Sequence, residues 1–175
     1  MGIKKNHKVA VLGGGSFGTV IANIVANNGY PVTLWLRSEA LAAEILSSGE
    51  NADYLPGYTL NPNIAISTDL EESVKHCESV FFAVPSGAFR QLAKKVSQWL
   101  PIDALVISTA KGIESDTFLL PTEVLREELP SNEVGLISGP NLAKEIANSQ
   151  ITATVVASDN DVYCAQVQRL LVSSY

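Results

Sequence analysis

A glycine-rich segment near the amino terminus constrains the fold of this chain more than any other feature. The apolar run VAVL at positions 9–12 leads directly into GGGSFG at positions 13–18, and apolar residues at helical spacing follow. The pattern G-x-G-x-x-G between a strand and a helix is typical of a βαβ unit that binds a dinucleotide. The segment therefore predicts a strand, a tight turn and a helix that together hold a diphosphate.

Each position of this turn has its own role. Gly13 permits the tight turn, and Gly15 lets the backbone approach a pyrophosphate without a Cβ in the way. Gly18 lets the helix pack closely on the strand. The backbone N–H groups of Ser16 and Phe17 are then expected to face the ligand, where the helix dipole favours a negative group.

Three other interpretations use the same residues. A Walker A loop needs a lysine directly after Gly18, where this chain has Thr19. The same letters also match G-x-S-x-G, the nucleophile elbow of serine hydrolases, with Ser16 as nucleophile; His76 is then the one downstream histidine, and it comes before half of the expected fold. The third is a glycine turn that binds no ligand. In that case nothing at the turn would compensate for the conformational entropy that three spaced glycines lose on folding.

Short β-branched runs alternate with longer segments of helical period along the chain. This alternation is typical of a parallel sheet covered by helices. We therefore predict an α/β fold, a doubly wound and mostly parallel sheet of the Rossmann type. The predicted strands cover residues 8–12, 32–36, 65–67, 79–84, 105–109, 135–138 and 153–157.

Apolar stripes at positions 17–25 and 89–100 predict two of the covering helices. Asp69 is expected to begin a further helix that runs towards Cys77, and Asp159 or Asp161 to cap a last one. That last helix reaches Tyr175 without a C-terminal cap, from which we expect a truncated chain. Residues 49–62 are the one long irregular stretch, and loops of that length are often functional.

Composition excludes several classes of protein. With 175 residues, 46% of them hydrophobic and 17% charged, the chain can fill the core of one compact domain. A formal net charge of -6 argues against nucleic acid or an anionic membrane as the main partner. We expect no nucleic-acid partner and no membrane-spanning segment, because the longest apolar stretch is too short for a bilayer.

The two cysteines and two histidines are too few and too scattered for a zinc site or a disulfide framework. We therefore expect no metal and unpaired thiols at Cys77 and Cys164 in a reducing cytosol. The apolar run at positions 8–12 is also too short for the core of a signal peptide. These features predict a cytoplasmic protein.

The end of the second predicted strand indicates which dinucleotide binds. An NAD enzyme usually places Asp or Glu there, on the ribose hydroxyls, whereas this chain has Trp35-Leu36-Arg37-Ser38. Arg37 can instead hold the 2′-phosphate of NADP in a charge-assisted contact worth about 1.5 to 3 kcal/mol. We expect NADP (NADPH) to be preferred, with NAD possible as the alternative cofactor.

Three further loops follow the carboxyl ends of predicted strands, where doubly wound sheets bind their ligands. Pro85 stiffens the loop beside the expected nicotinamide, and Lys111 lies on the next turn. Gly139 and Asn141 offer backbone N–H groups and an amide at a helix start, where Asn141 could also be a plain N-cap. Together with the glycine turn, these loops suit an anionic substrate beside a nucleotide.

Six segments, in chain order, carry a resemblance to a known family. The chain resembles the NAD(P)-dependent glycerol-3-phosphate dehydrogenases of bacteria over essentially its whole length. The segments are 13–18, LWLR at 34–37, NADYLP at 51–56, VPS at 84–86, TAKGIE at 109–114 and SGPNLAKE at 138–145.

The resemblance implies reversible hydride transfer between NAD(P)H and dihydroxyacetone phosphate, giving sn-glycerol 3-phosphate, a phospholipid precursor. It implies that Lys111, Gly139 and Asn141 bind this small phosphate substrate, and a homodimer is possible. Asn141 stands where many members have Thr, and either can donate a hydrogen bond. The positions that match cofactor-binding positions of the family are Ser16, Phe17, Arg37, Lys111 and Ala143. The full set that we expect to bind the cofactor also includes Gly13, Gly15, Gly18, Tyr54 and Pro85.

Family members are about twice as long and carry a helical second domain that supplies the general acid-base lysine. We therefore expect residues 1–175 to be the N-terminal dinucleotide-binding domain, with no catalytic residue in this chain and negligible turnover by it alone. Two alternatives stay open. One is another dehydrogenase of the ketopantoate reductase or hydroxyacyl-CoA dehydrogenase type, and the other is a non-catalytic module that senses the nucleotide.

Overall fold

A computed structural model describes residue 4 and residues 6–172 of the chain. These residues form a seven-stranded sheet in the order β3-β2-β1-β4-β5-β6-β7. The strands are β1 (Val9–Leu12), β2 (Val32–Trp35), β3 (Ile64–Ser67), β4 (Ser79–Phe82), β5 (Leu105–Ser108), β6 (Val134–Ser138) and β7 (Val155–Ala157). The helices are α1 (Ser16–Asn27), α2 (Glu39–Ser48), α3 (Leu70–Val74), α4 (Ser86–Val96), α5 (Pro121–Glu128), α6 (Ala143–Ala147) and α7 (Asp161–Leu171).

The sheet is wound in two directions from its centre. From β1 the chain runs outward through β2 to β3, then returns to place β4 on the other side of β1. Six strands are parallel, and only β7 pairs antiparallel, against β6. The predicted doubly wound, mostly parallel α/β fold is confirmed, and a crevice opens between the loops that follow β1 and β4, where the winding reverses.

Two apolar layers cover the two faces of this sheet. Along β1, Val9 and Val11 pack into the layer that contains α1 and α7, whereas Ala10 and Leu12 pack into the layer that contains α4 and α5. All four side chains are buried, because successive residues of a strand point to opposite faces. Burial on both faces explains why the strand carries no polar residue.

Tyr163 of α7 is the largest fully buried side chain of the described residues. Its hydroxyl donates a hydrogen bond to the backbone oxygen of Val106, at 2.7 Å, across the sheet. The ring lies directly over Gly135 of β6, where a Cβ would overlap it. Burial raises the pKa of the phenol, so this hydroxyl stays a neutral donor.

The structure corrects several details of the predicted elements. Asn160, and neither neighbouring aspartate, caps α7, since its side chain accepts from the backbone N–H groups at positions 162 and 163. The helix capped by Asp69 already ends at Val74, and β7 begins only at Val155.

The expected truncation at Tyr175 concerns residues 173–175, which lie outside the described part. Within residues 4 and 6–172, none of the helices has the length and apolarity that crossing a bilayer requires.

Candidate functional site

The turn between β1 and α1 has open space at one of its four glycines and no space for side chains at the other three. A Cβ on Gly14 would overlap Cδ2 of Leu36. A Cβ on Gly13, whose φ is +122°, would overlap the carbonyl oxygen of Ala83, and one on Gly18 would overlap that of Gly13 itself. A Cβ on Gly15 would meet nothing within 4 Å. Gly13 and Gly18 therefore serve close packing of β1, β4 and α1, while Gly15 borders open space.

The amino terminus of α1 faces that space. Gly15 is its N-cap and provides no side-chain hydrogen bond, and the first turn holds no acidic residue. The first backbone N–H groups of a helix lack intrahelical acceptors and carry the positive end of its dipole. A diphosphate group satisfies these donors without further machinery, so the turn fits the group that its pattern predicts.

The irregular loop at 49–62 is fastened over this turn. The buried side chain of Asn51 donates from Nδ2 to the carbonyl oxygen of Gly14, at 2.8 Å, and to Oγ1 of Thr19, at 2.7 Å. Ser16 Oγ donates to the carbonyl oxygen of Tyr54, at 3.0 Å. Sequence reasoning marked this loop as functional but missed Asn51 as its anchor, because an asparagine in a loop has no distinguishing pattern.

A groove of about 470 Å³ runs from the glycine turn along the ends of β2 and β4. Among the predicted site residues, Gly13, Gly15, Arg37, Tyr54 and Pro85 line it. Its remaining lining is mostly apolar, including the side chains of Trp35, Leu41, Leu70, Ala88 and Leu92. The structure thus brings together, in one groove, the turn, Arg37 and the loop after β4.

Ser16 and Phe17 begin α1 beside this groove without lining it. Phe17 lines a separate depression of about 280 Å³ between α1, α6 and α7. The hydroxyl of Ser16 donates to the carbonyl oxygen of Tyr54. The backbone N–H of Ser16, in the first turn of α1, has no intrahelical acceptor and is left as a donor for a ligand. Ala143 begins α6 and packs, half-buried, against the small cluster that joins α6 to α1.

The predicted substrate residues lie further along the same carboxyl edge, outside the groove. Lys111 is exposed after β5, where Thr109 Oγ1 donates to the carbonyl oxygen of Phe82, at 3.0 Å, and ties the ends of β4 and β5 together. Gly139 has a φ of +143°, and a Cβ there would lie 2.5 Å from the carbonyl oxygen of Ala153. No side chain therefore fits at this position beside the backbone of the segment before β7.

Asn141 does not cap α6, which begins after Leu142. Its side chain is buried, and its Oδ1 accepts a hydrogen bond from Thr154 Oγ1 at 2.9 Å. Thr154 thus holds the amide in one orientation, with Oδ1 occupied and the NH₂ group left as the donor. The plain N-cap interpretation of Asn141 is wrong, because the helix starts one residue later than the pattern indicates.

Arg90 of α4 holds the segment that carries Lys111. Its guanidinium pairs with Glu114, at 2.8 Å, and with Glu127 and Glu128 of α5, both at 2.7 Å. The contact with Arg90, together with a hydrogen bond from Thr117, lowers the pKa of the Glu114 carboxyl to about 2. Sequence reasoning missed Arg90, because its partners lie 24 to 38 positions further along the chain.

This ion cluster predicts acid-sensitive stability. A carboxyl whose folded pKa lies below its unfolded value stabilises the fold at higher pH, and that contribution is lost as the pH falls from about 4.5 towards 2. We expect Arg90→Met to lower the melting temperature most near pH 7, and the difference from the parent to vanish near pH 2. Thermal unfolding followed by circular dichroism between pH 7 and pH 2 measures this.

Arg126→Met is the matched control, since the one ion-pair partner of Arg126 among the described residues is the exposed Asp159. Exposed pairs contribute about 0 to 1 kcal/mol, so its curve should follow that of the parent. Parallel curves for Arg90→Met and the parent over the whole pH range would contradict the assigned role of the cluster.

The geometry excludes the serine hydrolase interpretation. Ser16 follows the carboxyl end of β1, whereas His7 and His76 precede the amino ends of β1 and β4, at the opposite edge of a parallel sheet. His7 is buried there, with Nε2 2.7 Å from Ser79 Oγ. Neither histidine can act as a base for Ser16.

The thiols provide no nucleophile at this edge either. Cys77 is buried just before β4, where desolvation raises the pKa of its thiol to about 12. It is therefore protonated at neutral pH, and protonated thiols are poor nucleophiles. Cys164 lies on α7, away from the groove.

Comparison with solved structures places this arrangement among known folds. Glycerol-3-phosphate dehydrogenase of Coxiella burnetii is similar over 98% of this chain and 52% of its own, with a TM-score of 0.92 and 29% identity. The yeast enzyme is similar over 97% of this chain and 55% of its own, with a TM-score of 0.86 and 30% identity. A ketopantoate reductase from Ralstonia eutropha, with a TM-score of 0.61 and 24% identity over 75% of this chain, shares the fold alone.

Sequence comparison gives the same result. The glycerol-3-phosphate dehydrogenase [NAD(P)+] of Teredinibacter turnerae is 47% identical over 95% of this chain and 49% of its own length. The chain thus spans about half the length of the curated relatives it matches. The family model described as NAD-dependent glycerol-3-phosphate dehydrogenase N-terminus matches residues 8–164. With the glycine turn, groove and carboxyl-edge loops in place, this chain belongs to that family of NAD-dependent glycerol-3-phosphate dehydrogenase N-terminal domains.

Proposed function

We propose that residues 1–175 form the cofactor-binding half of an enzyme that interconverts dihydroxyacetone phosphate and sn-glycerol 3-phosphate with NAD(P)H. The observation that carries this proposal is the open space at Gly15, which lies at the uncapped start of α1 and continues into the groove towards Arg37. The substrate is proposed from the relatives, which are glycerol-3-phosphate dehydrogenases. The product would feed the synthesis of phospholipids.

In this proposal the diphosphate lies on the backbone of the glycine turn, next to Gly15, Ser16 and Phe17. The adenosine half follows the groove between β2 and α4, which Tyr54 also lines, and Pro85 lies where the groove meets the loop beside the nicotinamide. The nicotinamide, when bound, supplies the hydride chemistry. A continuous path from turn to groove supports this placement over a glycine turn without a ligand.

The substrate half of the site uses the loops after β5 and β6. Lys111 gives a positive charge beside an anionic substrate, and the Arg90 cluster holds the segment that carries it. The backbone at Gly139 and the amide donor of Asn141 provide hydrogen bonds, while Ala143 lies at the start of α6 beside the cofactor. We assign no general acid or base to this chain; a lysine in the part of the relatives' length that this chain does not span is proposed for that step.

The proposed cofactor preference is NADP over NAD. Arg37 lies at the groove and follows β2, where an acidic residue would select NAD by binding the ribose hydroxyls. Among the described residues no carboxylate pairs with Arg37. Its charge is therefore available for a 2′-phosphate.

Arg37→Ala is expected to weaken NADPH binding about 10- to 100-fold and NADH binding less than about threefold, because only NADPH carries the 2′-phosphate. Titration of the chain with each cofactor measures this, with quenching of tryptophan fluorescence as the signal, since Trp35 lines the groove. Equal losses of affinity for NADPH and NADH would show that Arg37 does not contact the 2′-phosphate. Absence of saturable binding of either cofactor to the parent chain would overturn the proposed function itself.

We also propose a cytoplasmic location and a homodimer. The unpaired thiols of Cys77 and Cys164 support a reducing compartment. Exposed apolar side chains around β7, including Ile151 at 91% and Val155 at 61%, support self-association. Sedimentation of the chain at several concentrations tests the second of these proposals.

A further inference from the structure

Lys95 of α4 lies on the wall of the groove that faces Arg37. In α4, Phe89, Ala93 and Val96 are buried against the sheet. Ala88, Gln91 and Lys95 share an adjoining face of the helix and line the groove. Arg37, Ser38 and Leu41 line the other wall, after β2 and in the first turn of α2. The groove therefore has one cationic side chain on each wall.

These two cations stand out against the charge of the whole molecule. The chain carries a formal charge of -6, yet Arg37 and Lys95 are the charged residues that line the groove, and no carboxylate among the described residues does. Neither side chain has an ion-pair partner in the described part of the chain. Arg90, by contrast, is neutralised by three carboxylates. An unneutralised positive pair in an acidic protein favours an anionic ligand group.

The surface between the two cations is apolar. Trp35, Leu70 and Leu92 line it. The indole N–H of Trp35 donates a hydrogen bond to the carbonyl oxygen of Thr68, at 3.0 Å. Such a surface suits the flat, uncharged ring of a nucleotide base. The ligand part that fits the groove is thus an apolar ring beside an anion, which is the adenosine 2′-phosphate of NADP.

We infer that Lys95 is a specificity-determining residue whose ammonium group reaches across the groove and donates to the same 2′-phosphate that Arg37 holds. This inference rests on the proposed function, since it names a second contact for the same cofactor. Two cations on opposite walls select a doubly charged phosphate more strongly than one does, because each adds a charge-assisted hydrogen bond that NAD does not offer.

The test compares Lys95→Met with Lys94→Met in the full 175-residue chain. Lys94 is the matched control: it is exposed, lies in the same last turn of α4 and does not line the groove. We expect Lys95→Met to weaken NADPH binding about tenfold, the effect of losing one charge-assisted contact, and NADH binding less than about twofold. Lys94→Met should change neither by more than about twofold, and both variants should melt close to the parent.

Competition with adenosine 2′,5′-bisphosphate and with 5′-AMP separates the phosphate from the rest of the nucleotide. Lys95→Met should weaken the bisphosphate about tenfold and 5′-AMP hardly at all. Equal losses for both probes, or unchanged binding of NADPH, would overturn the inference while leaving NAD(P)H binding by the parent intact. If the parent binds neither cofactor, the proposed function fails, and this inference fails with it.

Discussion

Replacing Gly15 by aspartate is expected to abolish dinucleotide binding while leaving the fold intact. Gly15 has a φ of -74° and a ψ of 178°, an extended conformation that any residue adopts, and a Cβ there meets nothing within 4 Å. Aspartate is also a favourable N-cap, worth roughly a few tenths of a kcal/mol more than glycine at that position. The new carboxylate would occupy the place of the diphosphate and take up the first N–H groups of α1.

Loss of two such hydrogen bonds amounts to about 3 kcal/mol or more, so the dissociation constants for NADPH and NADH should rise at least about 100-fold. The melting temperature should stay the same or increase. Gly15→Ala is the control for size alone and should weaken binding much less, because a methyl group carries no charge. An aspartate variant that binds either cofactor like the parent would show that the diphosphate does not lie at this turn.

Replacing Gly13 by alanine is expected to have a different effect, a large loss of stability of the fold. Gly13 has a φ of +122°, a backbone conformation that side chains disfavour, and its Cβ would overlap the carbonyl oxygen of Ala83 directly after β4. Strain of this kind costs about 1 to 3 kcal/mol, and overpacking against backbone adds a similar amount. We expect a loss of about 3 kcal/mol or more in the free energy of unfolding, measured by urea denaturation.

Gly49→Ala separates these two causes. Gly49 ends α2 in the left-handed region, with a φ of +72°, but a Cβ there meets nothing within 4 Å. It should therefore show the conformational cost alone, about 1 kcal/mol. Similar losses for the two variants would mean that contact between Gly13 and Ala83 does not limit the stability of the sheet.

The sequence predicts the framework of this protein well, because its framework depends on local periodicity. The apolar strands around Val11, Val80 and Ile107 are buried on both faces, and such runs are visible without any partner. Arg37 is predictable for a similar reason, since its place directly after β2 follows from the position of the glycine turn. Helix and strand ends differ by a few residues, as with Asn160, which stands between the two aspartates expected to cap α7.

Residues whose role depends on distant contacts could not be predicted. Lys95 and Lys94 are neighbours on one amphipathic helix, and only the position of β2 and α2 makes one of them part of the groove. Arg90 meets carboxylates from another helix, and Asn51 acts through the course of an irregular loop. The antiparallel direction of β7 likewise depends on the path of the segment between α6 and α7, which has no periodic signal.

The fastening of the loop at 49–62 has a consequence for the rate of association. Asn51 and Ser16 join this loop to the turn through hydrogen bonds of 2.7 to 3.0 Å within the chain itself. The wall beside the proposed diphosphate position is therefore preorganised by the chain's own hydrogen bonds, and we expect its ordering entropy to be lost during folding instead of at the encounter with the cofactor. Mixing the chain with NADPH should accordingly give a single fast phase whose rate rises linearly with concentration, without a slower step from loop closure.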